Sequence, residues 1–241
     1  MTQNLTHSVH FVLHSHGGIG KSVICTYLAQ YLQEKWGTPL CIDTDSVHQT
    51  LTQYKSLNVY LCPAIQQGKI NPREFDTLLD KVIASQNIII IDIATALFFP
   101  FLDYMKIHDG LTLLQDRPVF IHTIITGGSR EKESIACLSI LDKWLTGTVA
   151  KLIVWQNEYW GIPNQKEQLS RNNPENIVIL RRRQSDTFDQ VLNTLTKSHL
   201  TYQEAATSGQ FQVLFLSRAY QIFQEIFQEL DKLFNKESSH A

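Results

Sequence analysis

The chain alternates short apolar runs with segments in which apolar residues recur every three or four positions. Seven apolar runs predict β-strands, at residues 9–13, 40–42, 59–62, 88–91, 119–125, 151–155 and 177–180. After the first strand, Ile24, Leu28, Tyr31 and Leu32 share one helical face within residues 22–36. This alternation predicts an α/β fold, a doubly wound and mostly parallel sheet with helices on both faces.

The run 88–91 consists of four isoleucines, which is typical of a central strand buried on both faces of a parallel sheet. No internal repeat, low-complexity tract or linker rich in proline and glycine divides the 241 residues. We therefore expect one domain over residues 1–241. Sheets of this kind bind their ligands at the carboxyl ends of the strands.

Composition narrows the class of protein. A formal net charge of -2 gives no electrostatic reason to expect nucleic acid or anionic lipid as the main partner. Cys25, Cys41, Cys62 and Cys137 are scattered and form no C-x-x-C pair, which favours reduced thiols in a cytoplasmic protein. No segment approaches the roughly 20 apolar residues that a membrane-spanning helix needs. We expect neither export nor membrane insertion.

A glycine-rich loop, HSHGGIGKS at residues 14–22, connects the first strand to the first helix. Such loops turn backbone N–H groups around an anion, and the following helix N-terminus adds a positive dipole end. The loop departs from the usual phosphate-binding patterns, because Ser15 replaces a glycine and His16 replaces the lysine of the two-lysine variant. A tight strand-to-helix connection without a ligand is the alternative interpretation.

Three carboxylates follow predicted strands. Asp43 and Asp45 stand two residues apart and would project on the same side if the strand stays extended through them. Asp92 ends the run of isoleucines, a placement typical of a carboxylate that holds a metal through water. The alternatives are that Asp43 or Asp45 caps a helix and that Asp92 is a solvated strand end.

The order of glycine loop, D-x-D and strand-terminal Asp resembles the deviant Walker P-loop ATPases, which include partition and septum-site ATPases. More narrowly, the chain is similar to the TraL-type conjugal transfer proteins, plasmid-borne members of that group. The matching stretches are CIDTDSVHQTL (41–51), FIHTIITGGS (120–129), IVWQNEYWGI (153–162) and LTYQEA (200–205). The resemblance spans nearly the whole chain and implies a single P-loop nucleotide-binding domain.

The resemblance also implies roles for individual residues. ATP would be the ligand and Mg2+ its metal, with Ser22 ligating the metal directly, Asp43 acting on it through water and Asp92 serving as the Walker B carboxylate. Asp45 would orient the attacking water, so that Lys21 and Asp45 are the expected catalytic residues. Asn157 would contact the purine edge, although it also fits a turn residue before Tyr159. The residues expected to wrap the phosphates are Gly17, Gly18, Gly20, Lys21, Ser22 and Val23.

The departure at His16 bears on turnover. In the resembled ATPases the lysine at this position reaches across a dimer and screens charge on the phosphates. Histidine is shorter and mostly neutral at pH 7. We therefore expect slow or absent hydrolysis, and the replacement counts against the usual nucleotide-driven homodimer.

Three further features have alternative interpretations. His10, His14 and His16 are close in sequence, but strand alternation and the loop's own chemistry disfavour a zinc site, so no metal ligand is assigned there. The basic run 181–183 fits a solvated strand edge better than a DNA contact. The segment 220–234 places Tyr220, Phe223, Phe227, Leu230 and Phe234 on one helical face, which predicts docking on the sheet or on a protein partner.

Together these features favour an ATP-binding accessory protein of plasmid conjugative transfer that uses the nucleotide as a switch and contacts a protein of the transfer machinery. A partition ATPase that binds DNA nonspecifically is one alternative, and a nucleotide-free interaction scaffold is another. A small-molecule kinase is disfavoured, because the D-x-D after the second strand belongs to the switch-like branch.

Overall fold

A computed structural model describes residues 5–66, 69–164, 176–183 and 185–234. A seven-stranded sheet runs through it in the order β3-β2-β6-β1-β7-β8-β9, and all neighbouring strands are parallel. A separate antiparallel pair is formed by β4 and β5. The strands are β1 (Val9–Val12), β2 (Leu40–Asp43), β3 (Val59–Leu61), β4 (Ile65–Gln66), β5 (Lys69–Ile70), β6 (Ile89–Asp92), β7 (Val119–Ile125), β8 (Lys151–Asn157) and β9 (Ile177–Leu180).

Helices cover both faces of this sheet. They are α1 (Lys21–Lys35), α2 (Arg73–Ala84), α3 (Phe98–Ile107), α4 (Glu131–Leu145), α5 (Asp186–Lys197), α6 (Tyr202–Thr207) and α7 (Val213–Phe234). Alternation along the strands sends side chains into two cores. Ile89 and Ile91 pack with α2, α3 and α4, whereas Ile90 packs with α1, α5, α6 and α7. The predicted doubly wound α/β fold is confirmed.

All seven predicted strands are present, and only their ends differ. The strands β6 and β8 each run further than predicted, so that Asp92 and Asn157 are the last residues of their strands. The β4–β5 pair was not predicted, because two-residue strands are too short to show a periodic pattern.

The C-terminal helix α7 docks on the sheet and on α1. Docking on the sheet was one of the two predicted alternatives. Phe234 packs edge-on against Phe120 of β7, with ring centres 5.3 Å apart, and Tyr31 of α1 contacts both Phe227 and Phe234. The predicted apolar face was wrong at Tyr220, which is 51% exposed, because the buried stripe passes through Ala219 and Ile222 instead. Among the described residues, none of the helices has the length and apolarity needed to cross a bilayer.

Parallel register brings the loops after β1, β2 and β6 to one edge of the sheet. Asp92 is the register partner of Val12 on one side and of Asp43 on the other. The glycine loop and the predicted carboxylates therefore meet at the carboxyl ends of three adjacent strands, where ligands of such sheets bind.

Candidate functional site

The glycine loop leads directly into α1. Gly18 has a φ of +66° and Gly20 a φ of +109°, a region of backbone conformation that favours glycine. Helix α1 begins at Lys21, and its first turn has neither a side-chain cap nor an acidic residue. Its first N–H groups and the positive end of its dipole are therefore left to an anion. Two further residues were predicted to contact the phosphates. Gly17 precedes the helix and lies beside Thr95, and Val23 lies in the first turn of α1 and lines a neighbouring cavity.

The Lys21 ammonium is directed towards the end of β6. Its Nζ donates a 2.7 Å hydrogen bond to Thr95 Oγ1, in the turn that follows this strand. The positive charge of Lys21 also acts to lower the pKa of Asp92, which places the two groups in one electrostatic site. The contact of Thr95 was not predicted, since a threonine three residues past a strand carries no distinguishing pattern.

Ser22 and Asp92 form the closest polar contact of the site. Ser22 Oγ donates a 2.5 Å hydrogen bond to Asp92 Oδ2, while Asp92 Oδ1 is buried and has no hydrogen-bond partner among the described residues. Burial raises the pKa of Asp92 to about 7, against the opposing effects of Lys21 and Ser22. A buried carboxylate oxygen without a partner fits a cation or a cation-bound water.

The donor set fits Mg2+ better than a protein-caged metal. The described part of the chain contains no cluster of three or more His, Cys, Asp or Glu side chains able to hold a metal ion. Mg2+ usually keeps several waters and takes few protein ligands, completing its shell with phosphate oxygens. The Ser22 hydroxyl, and a water on the unpartnered oxygen of Asp92, would supply the few ligands that such an ion takes from the chain.

Asp43 is fully buried, and the loop that follows it occupies both carboxylate oxygens. Oδ1 accepts from the N–H of Asp45 at 2.9 Å, and Oδ2 accepts from the N–H groups of Leu51 and Thr52 and from the Thr52 hydroxyl. Burial raises the pKa of Asp43, and these hydrogen bonds oppose the rise. Asp43 thus shows the geometry of the capping alternative, and its action on a metal stays a prediction.

The side chain of Asp45 is held by its own turn. Strand β2 ends at Asp43, so the condition under which Asp43 and Asp45 would project on the same side is not met. Asp45 Oδ1 accepts from the N–H groups of Val47 and His48, and Oδ2 lies 3.1 Å from His48 Nδ1. Burial acts to raise the pKa of Asp45, but these hydrogen bonds outweigh it and the pKa lies below its usual value. A water-orienting role for Asp45 stays a prediction.

Thr44, between these carboxylates, fastens the loop after β2 to the end of β6. Its hydroxyl donates to the Asp92 carbonyl at 2.9 Å and accepts from the Ala94 N–H at 2.8 Å. Thr44 therefore connects the loop after β2 to the backbone on both sides of Ile93.

Asn157 fixes the glycine loop from the other side. Its Nδ2 donates to the Ile19 carbonyl at 3.1 Å, and its Oδ1 accepts from the Tyr159 N–H, the bond expected of the turn-residue alternative. The amide keeps a second N–H and a second lone pair. Contact with a purine therefore stays a prediction for Asn157.

A cavity of about 480 Å³ opens beside Gly20 and Asn157. It lies between the glycine loop, the carboxyl ends of β8 and β9, and helices α5 and α7. Its apolar wall includes Ile24, Tyr27, Leu192, Ile222 and Ile226. A cleft of this size and mixed character is typical of small-molecule sites.

The basic run 181–183 borders this cavity, and two of its arginines are paired with acidic residues of α7. Arg183 pairs with Glu225 and stacks on Phe188, with Cζ 4.2 Å from the ring centre, and Arg181 lies 3.9 Å from Glu229. The solvated-edge interpretation was wrong for Arg183, whose side chain is only 20% exposed. The long-range pairing with α7 has no signal in the local sequence.

Three buried histidines, His10, His14 and His122, form hydrogen bonds inside the protein. Trp155 Nε1 can only donate, so His122 Nδ1 accepts from it at 3.0 Å. Burial lowers the pKa of His122 to about 3, so the ring is neutral and its Nε2 donates to His10 Nδ1 at 2.9 Å. His10, neutral for the same reason, donates to Ser8. His14 accepts from the N–H of His16, and burial together with Lys21 and His16 lowers its pKa to about 3.

Arg130 is a second residue that sequence analysis missed. It directly follows the matching stretch at 120–129, and its guanidinium donates to the carbonyls of Gly17 and Gly18. The signal that could have found it is its position two residues after the glycine pair that follows strand β7.

Comparison with known proteins agrees with this architecture. No protein-family model matches the chain. Over 235 residues it is 29% identical to Protein TraL of Escherichia coli, covering 92% of this chain and 97% of the relative. The MinD cell division protein of Aquifex aeolicus matches 92% of the chain and 96% of its own length, with a TM-score of 0.54 and 14% identity.

A ParA family ATPase of Chlorobium tepidum TLS matches 90% of the chain and 97% of its own length, with a TM-score of 0.52 and 13% identity. At these low identities the two structures show a shared fold alone, whereas the TraL match shows sequence similarity over almost the full length. The resemblance drawn from the motifs is confirmed. The chain is therefore similar to the TraL proteins over almost its full length and has the fold of the ParA and MinD P-loop ATPases.

Proposed function

We propose that the protein binds ATP with Mg2+ and acts as a nucleotide-dependent accessory protein of plasmid conjugative transfer, with slow or absent hydrolysis. The observation that carries this proposal is the Ser22–Asp92 pair, in which a buried carboxylate oxygen lacks a partner beside an uncapped helix N-terminus. That combination suits a phosphate-bound Mg2+.

The triphosphate would lie on the amide groups of residues 17–23. Lys21 reaches the phosphates by leaving Thr95 or by bridging Thr95 and a phosphate oxygen, since an ammonium carries three donors. Ser22 and Asp92 would hold the Mg2+, which would neutralise charge on the phosphates. The nucleoside would extend past Asn157 into the adjoining cavity.

Turnover is expected to be slow for two reasons. His16 lacks the length and the constant charge of lysine at its position. Asp45, expected to orient water, is engaged by Val47 and His48. The protein would therefore change state when it binds the nucleotide, without needing to hydrolyse it.

The switch would act through the loops after β2 and β6. A nucleotide and cation arriving at Asp92 bias the backbone that Thr44 ties to the loop after β2. We propose that this surface contacts a protein of the conjugation machinery in the cytoplasm, and that the chain acts as one nucleotide-binding domain over residues 1–241. A homodimer is a further state to be measured. DNA is not the expected partner, because Arg181 and Arg183 are paired with α7.

Equilibrium dialysis with labelled ATP and Mg2+ tests the proposal. Wild type should retain ATP, and Lys21→Ala should lose most of that retention. Lys143→Ala, an exposed residue on α4, makes the same change of charge away from the loop and should match wild type. Equal retention by wild type and Lys21→Ala would exclude this site.

A nucleotide-free interaction scaffold is the second candidate. It is favoured by the Lys21–Thr95 hydrogen bond, which satisfies the ammonium without a phosphate. No retention of ATP by wild type in the same dialysis would select this candidate.

A further inference from the structure

The guanidinium of Arg130 forms hydrogen bonds with two backbone carbonyls of the glycine loop. Its Nη1 donates to the carbonyl of Gly18 at 2.9 Å and to that of Gly17 at 3.3 Å. The same guanidinium stacks on Trp160, with Cζ 4.6 Å from the ring centre. One side chain thus joins the turn after β7, the turn after β8 and the glycine loop after β1.

A close contact between two glycine turns fixes this arrangement. The N–H of Gly127 donates to the Gly161 carbonyl at 2.9 Å. A Cβ on Gly127 would lie 2.4 Å from the Ile162 carbonyl oxygen, and one on Gly128 would lie 2.6 Å from that of Trp160. Only glycine allows the two turns to approach this closely, so Arg130 and Trp160 are held in one fixed relation.

By donating to the two carbonyl oxygens, Arg130 also affects the N–H groups of the same peptide groups. The carbonyl of Gly17 shares a peptide group with the N–H of Gly18, and the carbonyl of Gly18 shares one with the N–H of Ile19. A cation on the oxygen polarises the peptide group and makes its N–H a stronger donor. These N–H groups belong to the segment whose amides would face the phosphates.

We propose that Arg130 is a positioning residue for phosphate binding, one that sets the shape of the glycine loop and strengthens its N–H donors. This inference rests on the proposed function. Arg130 also supplies a permanent positive charge within hydrogen-bonding distance of the glycine loop. Its fixed position lowers the cost of ordering the loop when an anion binds.

Titration calorimetry with Mg-ATP and, separately, with inorganic tripolyphosphate tests the proposal in wild type, Arg130→Gln, Arg130→Lys and Lys132→Gln. Lys132 is exposed in the first turn of α4, two residues after Arg130, and its substitution is matched in charge to Arg130→Gln. Arg130→Gln should weaken both ligands about tenfold or more, since a charge-assisted hydrogen bond is lost. Arg130→Lys should recover part of this loss, and Lys132→Gln should stay within about twofold of wild type.

Amide proton chemical shifts measured without nucleotide give a second readout. In Arg130→Gln the Gly18 and Ile19 amide protons should move upfield, whereas in Lys132→Gln they should stay in place, because only Arg130 polarises those two peptide groups. Unchanged Gly18 and Ile19 shifts would contradict the polarisation.

The outcomes separate this inference from the proposed function. If wild type binds Mg-ATP and Arg130→Gln binds it within about twofold, the role of Arg130 is refuted and the proposed function stands. If wild type binds neither Mg-ATP nor tripolyphosphate, the proposed function fails and this inference fails with it. A loss in Arg130→Gln without any recovery in Arg130→Lys, accompanied by a lower melting temperature, would assign Arg130 a structural role only and overturn the proposal.

Discussion

Ser22 Oγ donates a 2.5 Å hydrogen bond to Asp92 Oδ2, while the other carboxylate oxygen of Asp92 is buried without a partner among the described residues. This carboxyl group is therefore held in a place that suits a bound cation better than it suits the folded chain alone. If the proposed cation binds at Asp92, stability and ligand binding oppose each other at this residue.

Asp92→Asn should stabilise the ligand-free protein at pH 8. The folded pKa, about 7, lies above the ordinary value of 3.8, so this carboxyl group favours folding below pH 4 and loses that contribution as pH rises to 7. Asparagine stays neutral throughout. We expect a gain of about 1–3 kcal/mol in the free energy of unfolding at pH 8 and a smaller gain at pH 5.

Urea unfolding at the two pH values measures this effect. Asp103→Asn, an exposed position on α3, provides the control and should show no comparable change. A variant at Asp92 that is less stable than wild type at pH 8 would mean that its charge already has a compensating partner.

His16→Lys should increase phosphate release from saturating Mg-ATP by about an order of magnitude if missing charge at this position limits turnover. His108→Lys makes the same substitution at an exposed site on another element and should leave the rate unchanged. The same low rate for wild type and His16→Lys would show that something other than this charge, such as the engaged Asp45, limits hydrolysis.

Gly127→Ala should destabilise the protein by about 2–4 kcal/mol, because the added methyl group would meet the backbone at Ile162 and Gly161. Its φ of -86° is open to any residue, so the cost comes from the close approach alone. Gly147→Ala provides the converse control, with a φ of +80° and nothing within 4 Å, and should cost about 1 kcal/mol. Thermal unfolding compares the two, and an equal or larger cost at Gly147 would refute a tight contact between the glycine turns.

Stability should fall as pH drops from 6.5 to 5 because His122 is buried in its neutral form. Its folded pKa of about 3 lies below the ordinary 6.5, so the unfolded chain binds the proton first and the contribution is fully present only above pH 6.5. The expected slope is about 1.4 kcal/mol per pH unit for each such histidine. The measurement is best made by urea unfolding of Asp92→Asn, where the opposite effect of that carboxyl group is absent. A flat profile over this range would contradict the neutral hydrogen-bond chain.

Much of the architecture could be predicted because its signals are local. Apolar runs located all seven strands of the sheet, and glycines followed by Lys21 and Ser22 marked the start of α1. Asp92 was placed at a strand end from the run of isoleucines alone. The strand ends were less predictable, since Asp92 and Asn157 are polar residues that still belong to their strands.

The partners of the site residues could not be predicted in the same way. Asp43 and Asp45 looked equivalent in D-x-D, yet Asp43 caps a turn eight residues ahead and Asp45 is held by the turn directly after it. Either carboxylate could have turned towards a ligand, and only the path of the loop decided which donors reached it.

By itself, the sequence determined the order of strands and helices, the place of the glycine loop and the relationship to TraL, because periodicity, turn residues and motif spacing are properties of neighbouring positions. The tertiary structure alone decided that Lys21 contacts Thr95, that Arg130 holds the carbonyls of Gly17 and Gly18, and that Trp155, His122 and His10 share one hydrogen-bond chain. Most of these contacts join residues 74 to 113 positions apart. Such pairs meet only after the parallel sheet has brought its carboxyl ends together, so no local pattern records them.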